Sequence, residues 1–251
     1  MEKVIRRIGR IVAAKLLPKI PYPVLKGPIR GTKFVLGSLA GRGGGVSVYF
    51  NLVEEKQTIE FTNQLRSNDT VFDVGANVGY YSVIASKIIG TKGTVIAFEP
   101  VVRNLHYLYK HVELNNLRNV MILPFACSDT SSFETFSFGF SSAEGHLIQS
   151  NSNIMQKFDP ESVAFVCTIT IDDFVDNTGV GPSVIKIDVE GAELSVLKGA
   201  ERTLSTVKPK IFLSVHTSEL EIECQRYLSK IGYQYKLLDE KERPSVEYLF
   251  F

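Results

Sequence analysis

The sequence predicts an α/β protein whose main domain is a doubly wound, mostly parallel sheet with helices on both faces. From residue 70 onward, short stretches rich in Val, Ile and Phe alternate with stretches of helical periodicity. Strands that alternate with helices form parallel sheets covered by helices. The chain ends in two strand-like segments with no helical pattern between them. Because a hairpin contains an antiparallel strand, we expect an antiparallel C-terminal hairpin at the edge of the sheet.

Composition limits the class of protein. The chain has 251 residues, of which 44% are hydrophobic and 22% charged, enough for a core and too apolar for wholesale disorder. Lys and Arg number 28 against 27 of Asp and Glu, so nothing global favours nucleic acid as a partner. Three cysteines exclude a disulfide framework and fit a reducing compartment. No apolar run has the length to cross a bilayer, so we expect a cytoplasmic protein.

The first 53 residues are predicted to precede the main domain, which spans 54–251. Residues 1–20 form a basic amphipathic pattern, with six basic residues against one acidic residue. Two interpretations stay open: the helix docks on the domain behind it, which we favour, or it contacts an anionic membrane surface peripherally. A Pro-rich linker follows. Thr32–Leu36 and Val46–Phe50 are predicted to form a hairpin around the Gly-rich loop 41–45.

The elements of the main domain follow from the apolar pattern. A helix is predicted over 54–66. Strands are predicted at Thr70–Val74, Thr94–Phe98, Val120–Phe125, Val184–Asp188 and Lys210–His216. Helices are predicted at Tyr80–Ile89, Arg103–Asn115, Glu193–Leu204 and Glu219–Ile231. The terminal hairpin is predicted at Tyr233–Leu238 and Val246–Phe251.

Residues 130–183 interrupt this rhythm between the third and fourth strands. Phe136, Phe138 and Phe140 alternate with small or polar residues, and Val163–Ile171 reads as their partner strand. Long insertions at this level of an α/β sheet often shape a substrate site. We therefore predict a substrate region at about 130–170, with a merely decorating hairpin as the alternative.

The stretch VFDVGANVGYYSVIAS at 71–86 reads as strand, glycine turn and helix. Gly75 and Gly79 permit a sharp turn and a close approach to a ligand at the helix N-terminus. Asn77 stands where the dinucleotide fingerprint has glycine. The carboxylate of Asp73 would repel a pyrophosphate and suits an amine-bearing ligand. S-adenosylmethionine has an α-amino group and a sulfonium and no phosphate.

Two further strand ends point to a nucleoside. Glu99 ends the second strand about 20 residues after the glycine turn, where a carboxylate usually accepts hydrogen bonds from a ribose diol. Ser128 and Asp129 follow the third strand, where an adenine amino group would be bound. An acid after a strand is also a common helix cap, and Ser-Asp is a common turn.

The stretch VIKIDVEGAELSVLKGA brings three acids to the same predicted rim. Asp188 ends the fourth strand, and Glu190 and Glu193 lead into a helix whose N-terminus they would favour. Lys186 alternates with Asp188 on one strand face and is expected to pair with it. His216 ends the neighbouring fifth strand, so it is predicted to face the same cleft as Asp188 and is placed for a general base.

Taken together, these motifs resemble the FkbM-type family of S-adenosylmethionine-dependent methyltransferases, over about residues 54–240. The resemblance implies the class I methyltransferase sheet of seven strands and methyl transfer, usually to a hydroxyl of a sugar, polyketide or other metabolite. It implies that the methionine part of the cofactor is held by Asp73, Gly75, Asn77 and Gly79. Glu99 would hold the ribose, and Ser128 and Asp129 would lie beside the adenine. The strand end LSVH lacks an acid expected before His216.

The catalytic hypothesis concerns the acceptor hydroxyl, which loses its proton during attack. His216 or Asp188 is predicted as the base, with Glu190 orienting the acceptor. Three acids in one loop do not establish a metal site, so no metal ligand is predicted, although a divalent cation bridging Asp188 and Glu190 is a second possibility. The alternative functions are a nicotinamide oxidoreductase and a non-catalytic nucleoside-binding module.

Overall fold

A computed structural model describes residues 18–39, 45–138, 145–148, 163–239 and 245–251. The predicted basic helix, through residue 17, lies outside this part of the chain. So do residues 41–44 of the predicted Gly-rich loop and most of the polar segment of the insertion. Within the described ranges, no helix is both long and apolar enough to cross a membrane.

The described residues form an N-terminal hairpin, a central sheet and an insertion sheet. The strands are β1 Pro21–Pro23, β2 Lys33–Val35, β3 Thr70–Val74, β4 Thr94–Phe98, β5 Val120–Leu123, β6 Ala126–Cys127, β7 Phe133–Phe138, β8 Gly145–Ile148, β9 Val163–Ile169, β10 Val184–Ile187, β11 Lys210–Val215, β12 Tyr235–Asp239 and β13 Val246–Phe250. The helices are α1 Glu55–Gln64, α2 Tyr80–Ile89, α3 Val102–Leu114, α4 Ile171–Thr178, α5 Glu193–Lys198, α6 Glu201–Thr206 and α7 Ser218–Lys230.

The central sheet has seven strands in the order β12-β13-β11-β10-β3-β4-β5. Its neighbours from β11 to β5 are parallel, whereas β13 runs antiparallel to both β11 and β12. The order reverses at β3, so the chain winds outward in both directions from the centre. This arrangement confirms the predicted α/β class with a doubly wound sheet and an antiparallel C-terminal hairpin.

Strand β3 shows how the two faces of the sheet are covered. Val71 packs on the face covered by α1 and α2, whereas Phe72 and Val74 pack on the face covered by α4 to α7. These three side chains have no exposed surface. Since side chains alternate across a strand, a strand buried on both faces has apolar residues at nearly every position. Asp73, on the same face as Val71, is therefore an exception, because it is a buried carboxylate between two apolar residues of the strand.

The predicted hairpin between 32–36 and 46–50 is wrong. Lys33–Val35 pairs instead with Pro21–Pro23, in the segment predicted as a stiff linker. Val46–Phe50 forms a 3-10 helix, and the phenol of Tyr49 donates to the carbonyl oxygen of Phe34 at 2.7 Å. A two-stranded ribbon has open edges, which tolerate prolines that cannot donate to a ladder.

The region after the insertion differs from the prediction in two places. The predicted helix 193–204 is two short helices, α5 and α6, interrupted where Gly199 passes against the chain after β6. A Cβ at Gly199 would lie 2.0 Å from the carbonyl oxygen of Ser128. Helix α4 was not predicted, although Thr170 is a recognisable cap whose hydroxyl accepts from the backbone N–H of Asp173 at 2.9 Å.

The insertion contains the predicted strand pair. β7 and β9 are antiparallel, β8 pairs with the other edge of β7, and β6 pairs with β9. The short strand β6 thereby connects the end of the central sheet to the insertion. The role of residues 130–170 as a substrate region stays a prediction.

His111 is a buried residue of α3. Nδ1 lies 2.7 Å from the carbonyl oxygen of Val78, and Nε2 accepts from the backbone N–H of Val35 at 3.0 Å. The ring therefore connects the N-terminal hairpin to the glycine turn. Burial lowers the pKa of His111 to about 4, so the ring is neutral at pH 7.

Replacing His111 with Ala is expected to lower the free energy of unfolding by about 2–4 kcal/mol, because it leaves a cavity and unpaired buried backbone groups. The measurement is urea unfolding at pH 7.5. The exposed His106 on the same helix provides the control, and His106→Ala should change stability by less than about 0.5 kcal/mol. Equal effects of the two variants would contradict a bridging role for His111.

Candidate active site

The predicted site residues meet at one edge of the central sheet. Strands β3, β4, β10 and β11 are parallel neighbours, so their carboxyl ends and the loops that follow them lie side by side. In doubly wound sheets, ligands bind outside this edge, near the point where the strand order reverses. Here that point is the end of β3.

The glycine turn after β3 is packed tightly against the loop after β10. Gly75 has φ 77°, and a Cβ there would lie 2.0 Å from the carbonyl oxygen of Asp188. Gly79 has φ 89°, and a Cβ there would lie 2.4 Å from a methyl group of Leu108. Both positions therefore require glycine for conformation and for space. The backbone N–H groups of Gly75 and Ala76 donate to the carbonyl oxygen of Phe98.

Asp73 lies below this turn, with only 2% of its surface exposed. The hydroxyl of Ser82 in α2 donates to its carboxylate at 2.5 Å. Burial raises the pKa of Asp73 to about 6, and the bond from Ser82 opposes that shift. The structure thus places this carboxylate beneath the turn, where it supports α2.

Glu99 links the two loops that follow β3 and β4. One carboxylate oxygen accepts from the backbone N–H of Asn77 at 2.7 Å, and the other accepts from Val101 N–H at 2.9 Å and from the Asn104 amide at 3.3 Å. Burial raises the pKa of Glu99 to about 6 against these hydrogen bonds. Asn77 has φ 51°, and its side-chain oxygen is buried without a partner among the described residues. Asn104 was not predicted as part of the site.

The third strand of the central sheet, β5, ends at Leu123. Ser128 and Asp129 therefore follow the short strand β6 and do not directly follow β5. Ser128 is 3% exposed, and its backbone N–H donates to the carbonyl oxygen of Ile169 at 3.2 Å. Its hydroxyl lies 3.4 Å from the carboxylate of the exposed Asp129. These contacts connect the pair to the insertion, and the predicted place beside an adenine stays a prediction.

Asp188, Glu190, Glu193 and His216 form what we call the acid–histidine cluster. Nε2 of His216 lies 3.5 Å from Asp188 and 3.2 Å from Glu190, and Nδ1 lies 2.6 Å from Glu193. His216 and Asp188 thus lie side by side, as expected from the ends of neighbouring parallel strands. Glu193, expected to favour a helix N-terminus, is fully buried and holds the imidazole ring instead.

The three carboxylates determine the protonation of the histidine. Burial lowers the pKa of His216, but its hydrogen bonds with Glu190 and Glu193 and the charge of Asp188 outweigh burial and raise that pKa to about 10. The ring therefore carries a proton on both nitrogens at neutral pH. In that form it donates hydrogen bonds and does not accept a proton.

A chain of buried polar groups lies beneath the cluster. The ammonium of Lys186, 1% exposed, donates to Asp188 at 3.1 Å and to the hydroxyl of Ser214 at 3.0 Å. Ser214 in turn donates to the buried carboxylate of Glu247 at 2.7 Å. The ammonium also lies 5.0 Å from the ring centroid of Tyr81. The predicted pair of Lys186 and Asp188 is present, whereas Ser214 and Glu247 were not predicted.

Lys186→Met is expected to lower the free energy of unfolding by about 3–5 kcal/mol, because it leaves Glu247 buried without its cation. Burial already raises the pKa of Glu247 to about 7, and losing the ammonium raises it further, so the defect should shrink as the pH falls from 8 toward 7 and stay constant below that. Chemical unfolding at pH 8 and pH 5 measures this difference.

The matched control for that measurement is the double variant Lys186→Met with Glu247→Gln. It removes both charges, so it should recover part of the stability that the single variant loses at pH 8. A double variant less stable than Lys186→Met alone would show that the two groups do not compensate each other.

Comparison with known proteins identifies the family. The model of the methyltransferase FkbM domain matches residues 73–238. A hexuronic acid methyltransferase, AglP of Haloferax volcanii, is 32% identical over 145 residues, which are 57% of this chain and 55% of that protein. The chain thus spans about half the length of this relative.

Solved structures agree on the fold. A methyltransferase FkbM from Methylobacillus flagellatus is 19% identical with a TM-score of 0.55, over 100% of this chain and 60% of that one. A precorrin-6y C5,15-methyltransferase from Geobacter metallireducens is 14% identical with a TM-score of 0.50, over 78% of this chain and 86% of that one. At these identities, the likeness shows the fold alone.

The family match includes the glycine turn, Glu99 and the acid–histidine cluster, which are the motifs that carried the resemblance in the sequence. It confirms the predicted family, and with it S-adenosylmethionine as the cofactor of the domain. The chain belongs to the FkbM family of S-adenosylmethionine-dependent methyltransferases.

Proposed function

We propose that the protein transfers the methyl group of S-adenosylmethionine to a hydroxyl oxygen of a sugar. The observation that carries this proposal is the contact between the glycine turn and the loop that follows β10, seen in the 2.0 Å approach of a Cβ at Gly75 to the carbonyl oxygen of Asp188. Cofactor and acceptor would therefore meet at one place. Methyl transfer requires this, because acceptor oxygen, methyl carbon and sulfur must lie in line.

The cofactor would lie along the turn and the loop after β4. The turn residues Asp73, Gly75, Asn77 and Gly79 would hold its methionine part, with Gly75 and Gly79 permitting close approach of the backbone. The buried, unpartnered side-chain oxygen of Asn77 supports this, since an orphan acceptor fits an amine donor.

The nucleoside part would lie against Glu99. Its Oε1 already accepts two hydrogen bonds from the protein, whereas its Oε2 accepts one and keeps a lone pair that can accept a ribose hydroxyl. Ser128 and Asp129 would lie on the adenine side, where the insertion begins.

The sugar acceptor is proposed from the likeness to AglP, which is named for acting on a hexuronic acid. A hydroxyl acceptor also fits a rim lined by carboxylates, which accept hydrogen bonds from hydroxyl groups. The insertion at about 130–170 would contribute to acceptor choice, because substrate specificity is commonly determined by loops added to a shared fold.

The acid–histidine cluster would act on the hydroxyl of the acceptor. Since His216 is already protonated, Asp188 is the better proton acceptor of the two residues predicted as the base. Glu190 would orient the acceptor, and His216 would hold both carboxylates in place. A second route would use a divalent cation held by Asp188 and Glu190, which would lower the pKa of the hydroxyl.

The test is titration calorimetry with S-adenosylmethionine, S-adenosylhomocysteine and NAD, followed by mass spectrometry of a set of hexuronic acid and neutral sugar glycosides incubated with protein and cofactor. We expect binding of the two sulfur nucleosides and a mass gain of one methyl group on a glycoside. Binding of NAD alone would instead favour an oxidoreductase. Cofactor binding without transfer to any hydroxylated acceptor would favour a non-catalytic nucleoside-binding module.

The affinity for S-adenosylmethionine is expected to fall at low pH. Below about pH 6 the carboxyl of Glu99 takes up a proton and loses acceptor capacity for the ribose. The dissociation constant should therefore rise by about tenfold between pH 8 and pH 5, as one proton competes with the ligand. Calorimetry at the two pH values measures the change.

The control for the pH effect is Glu99→Gln. This variant should bind the cofactor more weakly at pH 8 and show a smaller change between the two pH values. Asp73→Asn is a companion variant, because the pKa of Asp73 is also raised to about 6. An unchanged pH dependence in Glu99→Gln would remove this carboxylate from the ribose site.

A further inference from the structure

Three side chains of the acid–histidine cluster have the spacing of ligands around one cation. Nε2 of His216 lies 3.2 Å from Glu190 Oε2 and 3.5 Å from Asp188 Oδ1. One ligand atom from each of the three lies within 4.8 Å of the other two. Neighbouring ligands of an octahedral cation lie at right angles, so bonds of about 2.1 Å separate them by about 3.0 Å. The two distances from the histidine are already close to that value.

The groups behind these ligands are arranged as in metal sites. The fully buried carboxylate of Glu193 points into the cluster, with Oε1 2.6 Å from Nδ1 of His216, and its Oε2 has no hydrogen-bond partner among the described residues. A carboxylate bonded to Nδ1 directs Nε2 toward a metal. Lys186 holds Oδ2 of Asp188 at 3.1 Å and leaves Oδ1 directed at the histidine.

Charge and access favour a cation at the same place. Three carboxylates face this small volume, and they outnumber the two positive charges beside them, the ammonium of Lys186 and the protonated ring of His216. The side chains of Asp188 and Glu190 are 28% and 33% exposed, so the front of the cluster is open to solvent. An entering cation would exchange part of its water shell for oxygen and nitrogen ligands. It would also displace the Nε2 proton of His216 to solvent, because an imidazole nitrogen binds a metal only without its proton.

We propose that Asp188, Glu190 and His216 bind one divalent transition-metal cation of the Mn²⁺ type beside the glycine turn. Two carboxylates and one imidazole suit such a cation better than Mg²⁺ or Ca²⁺, which prefer oxygen ligands throughout. Three protein ligands leave open positions for an acceptor hydroxyl. This role rests on the proposed function. With the cation bound, Asp188 and His216 would be its ligands, which replaces the role of Asp188 as base, and the cation would lower the pKa of the acceptor hydroxyl.

The experiment titrates Mn²⁺ into the full chain after chelator treatment and follows free Mn²⁺ by electron paramagnetic resonance. We expect one bound Mn²⁺ per chain, with ¹⁴N coupling from the imidazole that disappears in His216→Gln. Asp188→Asn and Glu190→Gln should each raise the dissociation constant at least about tenfold, and Glu193→Gln, which alters the support of the ring, by about tenfold. Asp176→Asn is the control, because Asp176 pairs with Arg202 on the surface and should leave binding unchanged.

Absence of Mn²⁺ binding at millimolar concentration would overturn the proposal, and so would binding that Asp188→Asn and Glu190→Gln leave intact. Circular dichroism checks that the variants fold. If Asp188→Asn does not fold, Glu190→Gln, in the loop that follows β10, still tests the proposal. Binding of S-adenosylmethionine is measured separately in the same preparations. Mn²⁺ binding without cofactor binding would refute the proposed function and support the cation site, whereas the reverse result would refute the cation site alone.

Discussion

The burial of one ammonium group inside the sheet is the constraint on which the active-site edge depends. Lys186 is 1% exposed in a central strand, so its charge must be matched where no water reaches it. The matching groups come from three directions: Asp188 along the same strand, Ser214 on β11, and Glu247 on β13. The register of the sheet brings these groups together, since Ser214 lies opposite Glu247 in the antiparallel pair of β11 and β13.

This arrangement explains why the antiparallel hairpin matters for the site at the carboxyl ends of β10 and β11. A shift of β13 by one residue would turn Glu247 to the opposite face and leave the ammonium without its buried partner. The same ammonium directs the carboxylate of Asp188, which in turn faces His216. The position of the acid–histidine cluster is therefore determined partly by a strand that contributes no residue to it.

The sequence predicted those features that depend on local pattern. β3, β4 and α2 have the predicted bounds, because apolar alternation and flanking glycines define them within a few residues. The meeting of Asp188 with His216 also followed, since the ends of parallel neighbours share one edge. Glu247 and His111 were missed because their burial depends on partners far along the chain, on β11 and β2 respectively. No local periodicity distinguishes a buried His on a helix from an exposed one.

The state of the site was harder to predict than its position. Glu193 resembled an ordinary acid at a helix N-terminus, yet it is buried against His216. Together with Glu190 and Asp188 it raises the pKa of that residue in the ligand-free protein. A pattern of residue types does not reveal how many carboxylates converge on one ring. The convergence changes the chemistry, because three acids around one ring favour its protonated form, which donates hydrogen bonds.

The close contact between turn and cluster has a consequence for catalysis. Gly75 leaves no room for a side chain against the carbonyl of Asp188, so the backbone that would hold the cofactor and the backbone that carries the acids are fixed relative to each other. In-line transfer loses about 100-fold in rate for a displacement of about 1 Å. Alignment here comes from backbone packing between two parallel strand ends, which is stiffer than contacts between long side chains. Loops added elsewhere at this edge of the sheet can then vary without disturbing that alignment.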